Sequence, residues 1–121
     1  MSVEGTEIAE AFSRHRFNET FAHMLDDIEW TLVGGDTVSG RAKVMEVCEA
    51  SATELTSVRA AFERFRVLPT ADGVVIDSQA RYTDAEDAVS MVRSCDIYDF
   101  IDGKLAAITS FNIELSSVAS V

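Results

Sequence analysis

The chain has 121 residues, with 21 acidic and 10 basic side chains and a formal net charge of −11 spread along its length. That balance argues against nucleic acid or an anionic membrane as a partner, because both need a basic face. With 47% hydrophobic and 26% charged residues, the composition is globular. The length suits one domain over 1–121, and no apolar run approaches the ~20 residues of a membrane span.

The N-terminus lacks a basic region followed by an apolar stretch, so no secretory signal is expected and a cytoplasmic location is. Cys48 and Cys95 have neither metal nor redox spacing and read as free thiols of a reducing compartment.

In Thr6–Arg14, Ile8, Ala9, Ala11 and Phe12 share a stripe with Glu7 and Glu10 away from it, which predicts a helix capped by Thr6. A second helix is expected at about 18–25, capped by Asn18, with Phe17 stapled against its first turn. Ile28, Trp30 and Leu32 then alternate with Asp27, Glu29 and Thr31 as a half-buried strand, broken by Gly34-Gly35-Asp36. Helical spacing returns from Ser39 to about Leu55, where Gly40 near the start needs a packing reason.

Four strands follow. Ser57–Leu68 changes parity between Phe62 and Phe65, which suggests a bulge. Val74–Thr83 and Val89–Phe100 come next. Asp102-Gly103 is a strong hairpin signal before Lys104–Leu115. A loose tail is expected over 116–121. Helices early and antiparallel strands late make an α+β arrangement, α-α-β-α-β-β-β-β. A curved sheet roofed by helices leaves a concave space suited to a small molecule.

The stretch Asp26-Asp27-Ile28-Glu29-Trp30, Gly40-Arg41 opening the third helix, and Cys95-Asp96-Ile97-Tyr98-Asp99-Phe100-Ile101-Asp102-Gly103-Lys104-Leu105 together resemble the nuclear transport factor 2-like superfamily and its SnoaL-like domains. Thr109–Leu115 is similar to the closing strand. The resemblance covers nearly the whole chain. It implies a cone-shaped fold, three N-terminal helices packed on a curved, mostly antiparallel sheet. It also implies a homodimer through the sheet's outer face, which Ala106, Ala107 and apolar residues on both strand parities fit.

The superfamily includes ketosteroid isomerases, limonene epoxide hydrolases, SnoaL-type cyclases, dehydratases and binding domains, so each chemistry is judged on residues. Asp96 falls where the isomerases place a protonated aspartate that bonds the developing oxyanion. Their base falls at Leu32 or Thr31, and their tyrosine near Ile8 or Phe12, so neither is replaced in kind. The hydrolases' Asp-Arg-Asp set falls at Gln79, Arg81 and Ser110 here, and their water-holding Tyr and Asn at Trp30 and Leu32, so epoxide hydrolysis is not expected. The cyclases' histidine on the middle strands has no counterpart. His15 and His23 lie in the N-terminal helices, eight apart and without an acidic metal set, as surface or helix-junction residues. No metal and no cofactor are expected.

Asp96, in an otherwise apolar strand, is the tentative catalytic residue or ligand anchor. A carboxylate there must be solvated, paired or neutral. Either it is neutral with a raised pKa, or it is a structural partner of Arg81, Arg93, or the hydroxyls of Ser94 or Ser110. Trp30, Leu32, Arg81, Tyr98, Ser110 and Asn112 are the candidate ligand-binding residues; strand register decides whether Arg81 meets Asp96 or lies exposed on the outer face. Tyr82 is read as core or sheet face, with a hydroxyl to offer.

The expected function is binding of a small apolar, steroid-, polyketide- or terpene-like molecule. The alternatives are an isomerase, cyclase or dehydratase using Asp96 as acid or oxyanion donor, and a dimeric interaction module whose cavity is closed by Trp30, Phe62 and Phe111.

Overall fold

The computed structural model describes residues 3–115; the tail expected over 116–121 lies outside the described residues. Helix α1 spans Val3–Ser13. It buries Ile8, Ala9, Ala11 and Phe12 and leaves Glu4 and Glu7 in solvent, as its apolar stripe requires. Phe12 is the centre of its packing. Its ring meets Phe17, Trp30 and Tyr98 edge-on at centroid distances of 5.0, 5.1 and 5.9 Å, contacts worth ~0.5–1.5 kcal/mol each beyond area burial.

The second helical segment is shorter and tighter than expected. It consists of two 3₁₀ turns, Phe17–Glu19 and Phe21–His23. Thr20 divides them, because its amide and its hydroxyl both donate to the Phe17 carbonyl, at 2.9 and 2.6 Å. Strand β1 then begins at Met24 and runs to Leu32, so the α-helix expected over 18–25 has no room. Asn18 lies inside the first of the two turns rather than capping a helix.

Strand β2, Thr37–Ser39, folds back on β1 after the glycine turn. Helix α2 spans Arg41–Leu55. Gly40 before it has φ +90°, a conformation that side chains avoid. The glycine is explained by backbone geometry rather than close packing.

Strands β3 (Arg59–Pro69), β4 (Gly73–Thr83), β5 (Val89–Ile101) and β6 (Lys104–Leu115) complete one sheet of order β2-β1-β6-β5-β4-β3. Among the described strands, only β1 and β6 run parallel. The bulge lies at Glu63: Phe62 pairs with Ala80 and Arg64 with Gln79. The β5–β6 turn has positive φ at both Asp102 and Gly103, the signature of a type I′ hairpin.

Register decides which side chains meet the helices. The even-numbered residues in the middle of β4, β5 and β6, among them Ile76, Tyr98 and Ile108, are buried on the face that α1 covers, and Leu105 joins them because the register shifts between Asp99 and Phe100. The odd-numbered Asp77, Arg81 and Arg93 face outward. Among the described residues, no helix is long and apolar enough to cross a membrane.

Candidate functional site

The end of α1 sets the geometry. Arg16 N donates to Ala11 O at 2.8 Å, and His15 N donates to Phe12 O at 3.0 Å. These two bonds define a Schellman motif, in which the residue after the cap is left-handed and usually glycine. Here that residue is His15, with φ +67°. The motif places Ser13 and His15 over the concave face of the sheet.

Ser13 reaches the middle of β5. Its hydroxyl donates to Asp96 Oδ2 at 2.8 Å and lies 2.6 Å from the Tyr98 hydroxyl. Ser13 has one hydroxyl proton and donates it in the bond to Asp96, so Tyr98 is the donor to Ser13. A second chain arrives from β1. Trp30 Nε1 donates to Ser110 Oγ at 3.0 Å, which leaves the Ser110 hydroxyl proton to turn toward Asp96, its cross-strand partner. Asp96 thus terminates two donor chains, Tyr98–Ser13 and Trp30–Ser110. Burial pushes its pKa up, and the Ser110 and Ser13 bonds oppose that rise without cancelling it. Tyr98, fully buried beside Asp96, is held well above its ordinary value.

Asp96 lies in a cavity of about 320 Å³, whose walls include Phe12, Trp30, Phe62, Ala80 and Val92. His15 and Tyr82 are on the same wall, with Nε2 and the phenolic oxygen 2.8 Å apart. Burial lowers the His15 pKa. Burial, then the nearby Asp96 charge, raises that of Tyr82. A second, wider chamber of about 470 Å³ adjoins the first through His15, Trp30, Tyr82 and Asn112, and is walled by Leu32, Val47, Leu55 and Val58 together with Glu54. Among the described residues, neither chamber has a lysine or arginine in its wall. Among the described residues, no group of histidine, cysteine or acidic side chains has metal-binding geometry.

Residues 6–108 match the SnoaL-like domain. The chain belongs to the SnoaL-like family. In structure, the domain is similar to a nuclear transport factor 2-like protein of unknown function from Cytophaga hutchinsonii, with 32% identity, 93% of this chain and 100% of that chain covered, and a TM-score of 0.80. It is similar in fold to a candidate isomerase from Rhodopseudomonas palustris, at 24% identity, coverages of 87% and 88%, and a TM-score of 0.68. It is also similar in fold to a candidate polyketide cyclase from Xanthomonas campestris, at 19% identity, coverages of 89% and 89%, and a TM-score of 0.70. No curated protein sequence matches the chain.

In this SnoaL-like domain, Asp96, Trp30, Ser110 and Asn112 share the inner chamber, and Leu32 lines the outer one. Asn112 accepts from the Ser94 hydroxyl at 2.8 Å, so Ser94 serves Asn112 rather than Asp96. Two candidates are placed elsewhere. Arg81 is on the outward parity of β4, exposed, and bonded to Glu63 at 3.0 Å; it neither lines the cavity nor pairs with Asp96. Tyr98 is fully buried behind the wall and acts through Ser13.

Phe111 also faces outward and is partly exposed, so it does not close the cavity. Sequence reasoning missed Ser13 and His15. Neither has a local signal, since their roles follow from where α1 stops.

Proposed function

We propose that this SnoaL-like domain binds a small, uncharged, largely apolar molecule of steroid-, polyketide- or terpene-like character, with one polar atom at Asp96. One observation carries the reading. A carboxyl group fed by two hydrogen-bond chains stands at the wall of an otherwise mainly apolar open cavity. Such a site combines hydrophobic area with a few orienting polar groups, Asp96 being the acid among them.

Trp30, the sole tryptophan, reports occupancy directly. Thermal-shift and Trp30-fluorescence titrations with a panel of steroids, polyketides and terpenes, on wild type and Asp96→Ala, test the reading. A ligand at 100 times its Kd should add about 2.7 kcal/mol of stability. Absence of any saturable response across the panel, or identical affinities in the variant, would refute it.

The isomerase-, cyclase- or dehydratase-type reading is favoured by the burial that raises the Asp96 pKa, since a protonated carboxyl can donate to a developing oxyanion. Turnover abolished in Asp96→Ala would establish it. The expected homodimer rests on the outer sheet face, where Phe111 and Ile113 of β6 are 40% and 62% exposed. Sedimentation at micromolar concentration should give twice the chain mass, and a monomer would contradict it.

A further inference from the structure

We propose that His15, paired with Tyr82, is the proton-transfer base of this cavity, acting on a ligand whose acidic C–H adjoins a carbonyl or similar acceptor. The inference rests on the binding reading above and adds chemistry to it. His15 supplies a proton acceptor in the cavity wall.

Three observations carry the assignment. The first is strain. A side chain with a left-handed backbone costs roughly 1–2 kcal/mol, and glycine would satisfy the same Schellman bonds without it. Residues kept in unfavourable backbone regions cluster at functional sites. The imidazole gained by that cost points at the cavity.

The second is surroundings. The imidazole lies among the rings of Phe17, Phe62 and Tyr82, at centroid distances of 5.6, 5.8 and 5.8 Å, and its hydrogen bond is to the Tyr82 hydroxyl. Around it are Tyr82 from β4, Asp96 from β5, and Cys48, Glu49 and Glu54 from α2, which share its chambers or the shallow pocket beside them. Arg14, the residue before it in the chain, is stacked on Phe65 with its guanidinium carbon 3.8 Å from the ring centroid. Among the described residues, no carboxylate bonds to the imidazole, and burial favours the neutral, basic form.

The third is Tyr82. Its hydroxyl keeps its proton and can donate to Nε2 when the imidazole proton is on Nδ1. On ligand binding, that hydroxyl turns from Nε2 to the ligand oxygen. Nε2 takes the proton from the adjacent carbon, the C–H electron pair moves into the ligand, and the negative charge collects on the oxygen facing Tyr82. The imidazolium then returns the proton to the ligand at another atom.

The probe is 5-nitrobenzisoxazole, an uncharged planar molecule. Loss of its C3 proton to Nε2 sends the C–H pair into a nitrile, breaks the N–O bond and leaves a coloured phenolate. Wild-type protein should accelerate this elimination, with kcat/KM rising with pH to a plateau through a midpoint below 6.5. His15→Gly and His15→Asn, which both suit the left-handed position, should lose about 100-fold or more. Added imidazole should restore part of the His15→Gly rate above its own background. Tyr82→Phe should lower kcat more than it changes KM. Saturable quenching of Trp30 without acceleration overturns this inference and leaves the binding reading standing. So does a wild-type rate in His15→Gly. A probe that neither quenches Trp30 nor reacts counts against both.

Discussion

Replacing His15 separates backbone strain from chemistry. His15→Gly and His15→Ala both remove the imidazole and its 2.8 Å bond to Tyr82, and they differ only by a Cβ at φ +67°. That Cβ costs roughly 1–2 kcal/mol in the left-handed region, while the more restricted unfolded chain of alanine returns ~0.4–1 kcal/mol. The glycine variant should therefore be more stable by about 1 kcal/mol, or roughly 3–5 °C in Tm for a chain of this size. Relative to wild type, glycine gains the released strain and loses a hydrogen bond of ~0.5–1.5 kcal/mol, so the two should nearly match. Urea unfolding followed by Trp30 emission measures all three. An alanine variant as stable as the glycine variant would show that the backbone at His15 is unstrained and remove the first support for a functional histidine.

Ser110→Ala should cost about 1–3 kcal/mol, because it orphans Trp30 Nε1 and removes one donor from Asp96; an unchanged urea midpoint would break the proposed chain. Two aspartates should shape pH stability with opposite signs. Asp96 has a raised folded pKa, so its contribution is full below its unfolded value of ~3.9 and is lost as pH rises through the folded value. Asp77, lowered chiefly by its bond from Arg64, contributes above ~3.9 and loses that contribution as pH falls through its folded value. Asp77→Asn should therefore flatten the acid limb of the stability curve, and Asp96→Asn the higher limb; the reverse assignment would contradict the placement. Arg81→Ala should change stability by under ~1 kcal/mol and leave ligand affinity within about twofold; a larger affinity loss would return Arg81 to the site.

Most of the fold is legible in the sequence because its signals are local and repeated. The alternation through Val74–Thr83 and Lys104–Leu115, the parity change that marks the Glu63 bulge, and Asp102-Gly103 each specify geometry within a few residues. The 18–25 segment departs from its helical stripe because Thr20 can satisfy the Phe17 carbonyl twice over, which the stripe does not reveal. At the site, Asp96 stands out because a carboxylate in an apolar strand is costly. Arg81 is misplaced by sequence because register, which sequence leaves open, selects the sheet face. His15 reads as a junction residue, and it is at a junction. What sequence does not show is that the junction overhangs the cavity.

The distribution of charge narrows the ligand further. Arg59, Arg64, Arg66, Arg81 and Arg93 all lie on the outward parity of β3, β4 and β5, where Asp77, Glu63 and Asp87 pair with them. The chamber walls have Asp96 and Glu54 but no lysine or arginine. Neutral His15 contributes no compensating charge. A carboxylate or phosphate entering this space would be desolvated beside a buried carboxyl group with no cation to meet it, which is strongly unfavourable. An uncharged ligand meets no such cost, and its hydroxyl or carbonyl can use whichever form Asp96 adopts. The sheet thus sorts charge by parity. The same alternation that holds β4 and β5 together keeps arginine out of the cavity and leaves Asp96 as its inner polar anchor.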